Sequence, residues 1–337
     1  MKPIRVGLNG FGRIGRAFAR IALQRKSFTI EAINTSKTKP EQLAYFLQYD
    51  SVYRKFEKPV ESHSDGIKIG EQKITSYMIK NPEEIPWEKH NVDVVIDCTG
   101  VFKTREELKK HLKGSVKKVI MTAPSKDDTI PHIVLGVNDD KFDFGGADIV
   151  SNASCTTNCA AVMMKVLDGS VGVEQAYLST IHAYTSSQAL VDSTTDKFTR
   201  GRAAALSIIP TTTGAADAVC KVGASAADKL GAIAIRVPTA VGSLSDITAV
   251  VKQQTSVEEI NKIFKEAAAG KLKGILGYEE TPLVSSDYIG SPFSCVFDPN
   301  YTSVINGNFI KIFGWYDNEW GYSERVADLV ERFSDYV

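Results

Sequence analysis

The first 35 residues constrain the fold more than any other part of the chain. Residues 3–9, PIRVGLN, have the composition of a buried strand, and the segment GFGRIG follows directly, with Gly10, Gly12 and Gly15 in G-x-G-x-x-G spacing. An amphipathic helical pattern comes next, and a second apolar strand occupies residues 28–34. A strand, glycine turn, helix and strand within about 30 residues are typical of a dinucleotide-binding unit. A plain tight turn is the alternative, and the complete context favours dinucleotide binding.

The end of the second strand bears on which dinucleotide is bound. NAD-specific sites usually carry an acid there for the ribose 2′-hydroxyl. Residues 33–39 instead have the sequence INTSKTK, with hydroxyl groups, two lysines and no acid. These groups can donate to a 2′-phosphate, which an acid would repel, so we predict a preference for NADP. A surface turn beside an NAD site is the alternative.

Further strand–helix units follow along the first half of the chain. Residues 92–100 and 117–124 are predicted strands, and Thr99, Gly100 and Thr122 stand at their carboxyl ends. Ligands of open parallel sheets bind at those ends, so we expect these three residues to contact the cofactor. A hairpin is predicted over residues 66–77.

Composition excludes several classes of function. Lys+Arg and Asp+Glu both total 40, so no field of one sign favours a nucleic acid or an anionic membrane. The five cysteines are few and odd in number, which favours free thiols in a reducing compartment over a disulfide framework. No secretory signal and no apolar run of about 20 residues is recognisable. We therefore expect a cytoplasmic protein.

The segment SNASCTTNCAA, residues 151–161, surrounds a cysteine with small hydroxyl residues. Ser154 is a good N-cap, so Cys155 is predicted in the first turn of a helix that ends at Gly169. The helix N-terminus should lower the pKa of the Cys155 thiol. A metal site lacks further ligands at suitable spacing, and a disulfide to Cys159 lacks suitable geometry. A packing cysteine is the remaining alternative, and it suits Cys159 better than Cys155.

A cysteine nucleophile usually needs an imidazole to remove and return protons. The histidines are His63, His90, His111, His132 and His182. The first three have polar, charged neighbours and are predicted to lie on the surface, and the fourth starts a strand. His182 ends the apolar strand AYLSTI and begins a polar loop, which is a common position for a catalytic residue. We predict that His182 is the partner of Cys155, with a structural histidine as the alternative.

Hydroxyl groups and arginines accumulate beyond His182. They are Thr185, Arg200, Arg202, the threonines at 211–213, Gly214 and Arg236. Arg236 lies in an apolar strand, where an arginine without an anionic partner is rare. These groups predict phosphate or carboxylate on the substrate. An ion-pair network between subunits is the alternative, especially for Arg200 and Arg202.

Six segments resemble those of a known family. They are GLNGFGRIGR, SNASCTTNC, HAYT, IIPTTTGAA, RVPT and WYDNEWGYS. They occur in the order and spacing of the phosphorylating glyceraldehyde-3-phosphate dehydrogenases, and the resemblance covers essentially the whole chain. The SCTTNC and YDNEWGYS blocks are highly specific to that family and to its relative, erythrose-4-phosphate dehydrogenase.

The resemblance implies a mechanism and a set of ligands. Cys155 would attack the aldehyde carbon, His182 would act as base, a hydride would pass to nicotinamide, and inorganic phosphate would release the thioester as an acyl phosphate. With the residues inferred above, the expected cofactor ligands are Gly10, Gly12, Arg13, Ile14, Gly15, Thr35, Ser36, Lys80, Thr122, Asn318 and Tyr322. The substrate phosphate is expected at Thr185 and Arg236. The attacking phosphate is expected at Ser154, Thr156, Thr213 and Gly214, with Arg200 nearby.

The resemblance also bears on assembly and cofactor choice. Family members are tetramers, and loop 183–205 corresponds to the segment that reaches a neighbouring subunit. Thr35 and Ser36 occupy the place of the acid common in the family, and Ser193-Thr194 occupy that of a Leu-Pro pair usual in NAD-specific members. Members that accept NADP have small polar residues at both places. We expect a homotetramer that prefers NADP or uses both NADP and NAD.

We predict an α/β chain of two domains. A Rossmann-type doubly wound dinucleotide-binding domain is expected over residues 1–154, together with a C-terminal helix at 319–337. Residues 155–318 are expected to form an α+β catalytic domain with a mixed or antiparallel sheet. The expected substrates are glyceraldehyde 3-phosphate and inorganic phosphate. The alternatives are an erythrose-4-phosphate dehydrogenase and a non-catalytic dinucleotide- or RNA-binding protein.

Overall fold

The computed structural model describes residues 2–224 and 229–337. Met1 and residues 225–228 of the predicted domains lie outside the described residues. Internal contacts divide the chain into two units. The first comprises the chain up to Ile133, Lys141–Ala153 and Ser323–Val337, and the second comprises Val134–Asp140 and Ser154–Tyr322. Within the described ranges, no helix has both the length and the apolar character that crossing a membrane requires.

An eight-stranded sheet forms the centre of the first unit. The strands of this unit are β1 Ile4–Asn9, β2 Phe28–Thr35, β3 Tyr49–Asp50, β4 Arg54–Lys55, β5 Val60–His63, β6 Gly66–Ile69, β7 Gln72–Met78, β8 Val94–Asp97, β9 Lys118–Met121 and β10 Ile149–Ser151. Strands β3 and β4 form a separate ribbon, and the sheet order is β10-β9-β8-β1-β2-β7-β6-β5. The first six strands in this order, from β10 to β7, are parallel to one another. Strand β6 then pairs antiparallel with β7, and β5 pairs antiparallel with β6. The chain therefore crosses from one side of β1 to the other, which makes the β1–β8 boundary a switch point for ligands.

The helices of the first unit cover this sheet. They are α1 Arg13–Ala22, α2 Pro40–Gln48 and α3 Arg105–Lys109. Helix α1 buries Phe18, which stacks on Phe28 of β2 with ring centroids 5.7 Å apart. All four residues of β8 and all four of β9 are buried, as expected for parallel strands with cover on both faces. The predicted doubly wound fold and the hairpin at 66–77 are confirmed.

A seven-stranded mixed sheet forms the centre of the second unit. Its strands are β11 Val173–Ala183, β12 Ile209–Thr211, β13 Leu230–Val237, β14 Ser243–Val251, β15 Leu276–Tyr278, β16 Cys295–Ile305 and β17 Phe309–Tyr316. The order is β12-β13-β11-β14-β17-β16-β15, with β11 parallel to β13 and antiparallel to β14. Its helices are α4 Cys155–Val171, α5 Ala215–Lys221 and α6 Val257–Ala269. The predicted mixed sheet is confirmed.

Helix α4 is longer than its sequence suggests. The prediction that it ends at Gly169 is wrong, because the helix continues to Val171 and is capped by Gly172. Gly172 has φ +68°, and its N–H donates to the carbonyl of Asp168 at 3.1 Å. Val171 is buried, so apolar contact outweighs the weak helix propensity of a single glycine.

The last helix is α7, Trp320–Arg332. Its residues from Ser323 onward belong to the first unit. Arg25, which follows α1, pairs with three carboxylates of this helix. These are Glu324, Asp328 at 2.7 Å and Glu331 at 3.1 Å. The acids lie on one helix face because their spacing is four and three residues.

Candidate active site

A cavity of about 500 Å³ lies at the carboxyl ends of β1, β2 and β8 in the first unit. Its lining comprises Asn9, Gly10, Phe11, Gly12, Asn34, Thr35, Ser36, Lys37, Thr38, Ile79, Lys80, Cys98, Thr99, Val101 and Phe102. Five predicted cofactor ligands are in this set, and so is Thr99. The cavity stands at the switch point of the parallel sheet, where a doubly wound fold binds a nucleotide.

The glycines of the first turn allow the backbone segments at this cavity to approach closely. Gly10 has φ +97°, and a Cβ there would lie 2.8 Å from the backbone carbon of Cys98. A Cβ on Gly15 would lie 2.4 Å from the carbonyl oxygen of Gly10. Gly12 is the N-cap of α1 and faces open space. The turn is therefore a cradle that leads into the N-terminus of α1, and a helix N-terminus fits a pyrophosphate.

The other predicted cofactor ligands do not line this cavity. They are Arg13, Ile14, Gly15, Gly100, Thr122, Asn318 and Tyr322. Arg13 forms an ion pair with Asp50 and lies over the ring of Tyr53 at 5.5 Å. The hydroxyl of Thr122 donates to the carbonyl of Asp97 at 3.0 Å. In the second unit, Oδ1 of Asn318 accepts from the N–H of Gly242 at 3.2 Å and the hydroxyl of Ser243 at 3.0 Å.

The end of β2 forms a hydrogen-bonded turn beside the cavity. The hydroxyl of Thr35 accepts the N–H of Thr38 at 3.0 Å, and its side chain is buried. Ser36 and Lys37 are exposed at the rim. A smaller adjoining cavity of about 240 Å³ is lined by Phe11, Arg16, Lys37, Thr38, Gln42 and Phe46. Lys37 and Thr38 belong to both cavities, which places a cation and a hydroxyl at the edge of the nucleotide site.

A buried polar network beneath the cavity was missed by the sequence analysis. Nδ2 of Asn9 donates to Asp97 at 2.7 Å, and the indole N–H of Trp87 donates to Nδ1 of His111 at 3.2 Å. Nε2 of His111 lies 3.4 Å from Asp97. The prediction that His111 is a surface residue is wrong, since it is fully buried. Its polar sequence neighbours lie on other faces of the chain, and no sequence spacing links it to Trp87 or Asp97.

In the second unit, Cys155 and His182 lie in contact. The hydroxyl of Ser154 accepts the N–H of Thr157 at 3.1 Å, which caps α4 as predicted and puts Cys155 in the first turn. His182 is near the end of β11. Sγ of Cys155 is 3.5 Å from Nε2 of His182, a distance suited to proton transfer between them.

Burial determines the acid–base state of this pair. Burial raises the pKa of the Cys155 thiol to about 11, although the Arg236 charge and the Thr156 N–H lower it. Burial and the Arg236 charge lower the pKa of His182 to about 3, against the opposing effect of the Ala183 carbonyl. The prediction of a lowered thiol pKa is therefore wrong, because the loss of water outweighs the helix N-terminus. At neutral pH the pair is a neutral thiol beside a neutral imidazole.

Two arginines stand beside the pair without carboxylate partners. Arg236 of β13 is in register with His182 of the parallel strand β11, and its Nη1 lies 2.8 Å from Nδ1 of that ring. Arg200 donates from Nε to the hydroxyl of Thr211 at 3.0 Å. Within residues 2–224 and 229–337 neither arginine has an ion pair, and Nε of Arg236 is buried without a hydrogen-bond partner. Such uncompensated guanidinium groups fit an anionic ligand.

The remaining predicted phosphate ligands already make local hydrogen bonds. The hydroxyl of Thr185 is 2.8 Å from that of Ser187, and the hydroxyl of Thr213 accepts the N–H of Ala215 at 3.2 Å. Gly214 is exposed, with open space where a Cβ would stand. Arg202 differs from the other arginines, because it pairs with Asp192 at 2.8 Å on the surface.

Tyr316 is a site residue that the sequence analysis did not single out. Its hydroxyl lies 3.0 Å from the hydroxyl of Thr156 and 2.8 Å from that of Thr180. Its ring meets His182 edge-on, with centroids 6.1 Å apart. Burial raises the pKa of Tyr316, so the phenol stays protonated. It joins the helix of Cys155 to the strand of His182, a contact that no local pattern reveals.

The fold and the site define a class of protein. A dinucleotide-binding fold in the same chain as a cysteine–histidine pair is typical of a dehydrogenase that uses a cysteine nucleophile and a nicotinamide cofactor. Residues 4–105 match the family model described as glyceraldehyde 3-phosphate dehydrogenase, NAD binding domain, and residues 154–318 match the one described as its C-terminal domain. The chain belongs to the glyceraldehyde-3-phosphate dehydrogenase family.

Relatives of known name agree over nearly the full length. The chain is 45% identical over 331 residues to glyceraldehyde-3-phosphate dehydrogenase 2 of Streptomyces avermitilis, covering 97% of both chains. It is 44% identical over 335 residues to the glyceraldehyde-3-phosphate dehydrogenase of Sclerotinia sclerotiorum, covering 99% of this chain and 98% of that one. The cytosolic enzyme of Magnolia liliiflora is 44% identical over 332 residues, covering 98% and 96%.

Proposed function

We propose that this protein oxidises glyceraldehyde 3-phosphate with inorganic phosphate and NAD(P)⁺ to 1,3-bisphosphoglycerate and NAD(P)H. The observation that carries the proposal is the thiol of Cys155 at 3.5 Å from Nε2 of His182, beside the uncompensated guanidinium of Arg236. A thiol paired with imidazole can add to an aldehyde, and a guanidinium can hold the phosphate of the same substrate. The names of the relatives support this substrate.

Cys155 and His182 divide the chemistry between them. The thiol proton passes by way of Nε2 of His182 to the aldehyde oxygen as the C–S bond forms, which gives a neutral hemithioacetal. Nε2 would accept the hydroxyl proton as the carbon loses a hydride and becomes the thioester carbon. A bound nicotinamide would supply the hydride acceptor. Inorganic phosphate then attacks the thioester carbon, and the C–S bond breaks with sulfur as the leaving group. The sulfur recovers its proton from His182.

Two anion sites would hold the phosphates. Thr185 and Arg236 hold the phosphate of the substrate. Ser154, Thr156, Thr213 and Gly214, with Arg200 nearby, hold the attacking phosphate. The lack of ion pairs at both arginines among the described residues supports this assignment. The hydroxyl of Thr156 already bonds to Tyr316, so its contribution would come mainly from orienting the start of α4.

The dinucleotide is held by the first unit, which we propose as the cofactor domain, with the second unit as the catalytic domain. The glycine cradle fits the pyrophosphate, because a Cβ at Gly10 or Gly15 would collide with backbone. Lys80 and Thr35 line the cavity that would take the adenosine. Arg13 and Ile14 begin α1 near the pyrophosphate, and Thr122 supports the end of β8. Asn318, oriented by Gly242 and Ser243, would hold the nicotinamide carboxamide with Tyr322 beside it.

NADP is the dinucleotide that we propose is preferred, with NAD also accepted. The support is the absence of any acid from the lining of the two cavities at the end of β2, together with Lys37 at their shared edge. Arg16 lines the smaller cavity and adds a second positive charge. A 2′-phosphate of charge near −2 is stabilised by such cations.

We further propose a cytoplasmic homotetramer. Five large apolar side chains of the loop region are strongly exposed in the single chain: Leu190, Val191, Phe198, Leu206 and Ile208. Contact with a second copy would bury them, and light scattering after gel filtration measures the assembly.

The five free cysteines support a reducing compartment.

Steady-state kinetics test the function. Wild type should reduce NADP⁺ and NAD⁺ with glyceraldehyde 3-phosphate only when inorganic phosphate is present, and it should turn over erythrose 4-phosphate more slowly. Cys155→Ala should abolish reduction and retain dinucleotide binding by fluorescence titration, because its thiol is the nucleophile. Cys220→Ser is the matched control, as its thiol is partly exposed and outside this site. Turnover retained by Cys155→Ala would refute the assignment.

A further inference from the structure

Three sulfur atoms meet beneath helix α4 in the second unit, and the reaction described above uses none of them. Sγ of Cys159 lies 4.0 Å from Sδ of Met163. A Cβ on Gly314 of β17 would lie 2.5 Å from Sδ of Met163 and 2.5 Å from Sγ of Cys295. These two sulfurs are therefore no further apart than twice that distance. Cys159, Met163 and Cys295 form what we call the sulfur cluster.

The sulfur cluster depends on a helix, a strand and a glycine. Cys159 and Met163 are four residues apart in α4 and share one face, and the helix packs on β14, β16 and β17. Cys295 is the first residue of β16. Gly314 leaves the space into which the sulfurs converge, since any side chain there would collide with two of them. No sequence spacing links the two cysteines, so local patterns cannot reveal the cluster.

Both cysteines of the cluster are fully buried free thiols. Burial raises the pKa of Cys295 well above its ordinary value, and a hydrogen bond with the Cys159 thiol raises it further. Sγ of Cys159 also lies 3.7 Å from the carbonyl oxygen of Gly314. The thiols are therefore protonated in the chain alone, and a ligand of the cluster must displace their protons.

A buried hydroxyl lies on the same face of the sheet. Ser245 of β14 is directly opposite Gly314 in the antiparallel register, and opposite residues project to the same side. Its Oγ is fully buried and has no hydrogen-bond partner among the described residues. A buried hydroxyl without a partner is destabilising. A negatively charged sulfur on this face would accept its hydrogen bond.

The donor set and its spacing suit a soft metal ion. Thiolate and thioether ligands together select monovalent copper over zinc or harder ions. A metal bonded to three sulfurs in one plane at about 2.3 Å holds them about 4 Å apart. That is the separation of Cys159 and Met163. Tetrahedral zinc would need further ligands, and no group of three His, Cys, Asp or Glu side chains within the described ranges could hold a metal.

We propose that Cys159, Cys295 and Met163 bind one soft monovalent metal ion of the Cu(I) class through two thiolates and one thioether. Both thiols lose their protons as the metal–sulfur bonds form, so two protons are released per ion and nothing is oxidised or reduced. The site then carries a single net negative charge, which the hydroxyl of Ser245 offsets by donating to a thiolate. This site is independent of the proposed function, because neither the aldehyde nor the dinucleotide takes part.

Access of the ion requires local opening, because all three side chains are fully buried. Cys295 pairs with Leu276 of β15, a three-residue strand at the edge of the sheet. A short edge strand opens at a lower free energy than the centre of a sheet. We therefore expect slow binding, and titrations should be read after equilibration.

Anaerobic titration with Cu(I) against a chromophoric chelator tests the site. The chain carries Cys155→Ala throughout, so that the thiol of the candidate active site cannot bind the metal. This background should bind one ion tightly and release two protons in weakly buffered solution. Adding Cys295→Ser should weaken binding about 100-fold, and adding Met163→Leu about tenfold, since losing a ligand costs at least as much as losing a supporting contact. Cys220→Ser, whose thiol lies outside the cluster, is the matched control and should change nothing.

Two further measurements identify the donors. X-ray absorption at the copper edge should show three sulfurs at about 2.3 Å. Ser245→Ala in the same background should weaken binding about tenfold, as expected for a supporting hydrogen bond. Circular dichroism establishes that each variant is folded before its affinity is compared.

Four results would overturn the site. They are no tight binding to the Cys155→Ala chain, which would mean that the sulfurs only pack, equal affinity after Cys295→Ser, nitrogen or oxygen donors in the absorption spectrum, and displacement of Cu(I) by an equal concentration of Zn²⁺. Cys295→Ser in the otherwise unaltered chain, assayed without copper, should retain full dehydrogenase turnover. Failure of the metal site therefore leaves the proposed function intact, and failure of the proposed function leaves the titration unaffected.

Discussion

Replacing Thr35 by aspartate puts a negative charge at the end of β2, where the 2′-phosphate of NADP is proposed to bind. Thr35 lines the larger cavity, and its hydroxyl accepts the N–H of Thr38 at 3.0 Å. An aspartate can accept the same N–H, so the local turn is expected to persist. The substitution therefore changes the charge of the site with little change in its backbone.

The penalty for NADP follows from Coulomb's law. At about 5 Å and an effective dielectric constant of about 40, two unit charges repel by about 1.7 kcal/mol, and a phosphate of charge near −2 raises this to about 3 kcal/mol. That energy corresponds to about 100-fold in kcat/KM for NADP. NAD carries a 2′-hydroxyl that can donate to the carboxylate, so its kcat/KM should stay equal or rise.

The assay is steady-state turnover of glyceraldehyde 3-phosphate with each cofactor at several salt concentrations. Because the site is partly exposed, the loss for NADP should shrink as salt rises and the Debye length falls below about 8 Å. Thr35→Asn is the matched control, with the shape of aspartate and no charge. An unchanged NADP-to-NAD ratio in Thr35→Asp would refute the placement of the 2′-phosphate, and equal losses in both variants would show that the charge is not the cause.

Two further predictions concern stability. The pKa of His182 falls from 6.5 to about 3 on folding, so the unfolded chain binds one more proton between these values and stability decreases as pH falls through this window. Urea unfolding at pH 7, 5 and 4 should show a smaller decrease for His182→Asn, and an identical pH dependence would contradict the burial of a neutral imidazole. Lys118→Met removes a buried ammonium that donates to the carbonyls of Phe144, Gly145 and Ala147 at 2.9, 2.9 and 2.6 Å. The free energy of unfolding should drop by about 2–4 kcal/mol in urea titrations, and a loss below about 0.5 kcal/mol would show that water replaces the ammonium.

Local patterns were sufficient for the elements that depend on near neighbours in the chain. The strand, glycine turn and helix at residues 4–22 follow from apolar runs and from glycines that avoid backbone collisions. Ser154 was predictable as an N-cap because capping involves only the next three residues. The polar surroundings of Cys155 likewise indicated a reactive cysteine rather than a packing one.

Errors arose where distant segments decide the outcome. His111 has charged neighbours in the chain and yet is fully buried, because Trp87 and Asp97 satisfy its ring nitrogens. The pKa of Cys155 depends on how completely the fold excludes water, and that burial exceeds the effect of the helix N-terminus. Gly169 stays helical because Val171, two residues further, is buried.

The sequence by itself determined the doubly wound dinucleotide fold, the mixed sheet of the second unit, the family and the identity of the candidate nucleophile, because these follow from periodicity, capping and short motifs. Only the tertiary structure decided that Cys155 lies 3.5 Å from His182, that Arg236 touches the far side of the same imidazole, and that Tyr316 joins their two elements. Strand register sets the contact between His182 and Arg236, which are 54 residues apart in sequence. Burial then sets the protonation of the site, since the cost of charge depends on the water that the whole unit excludes.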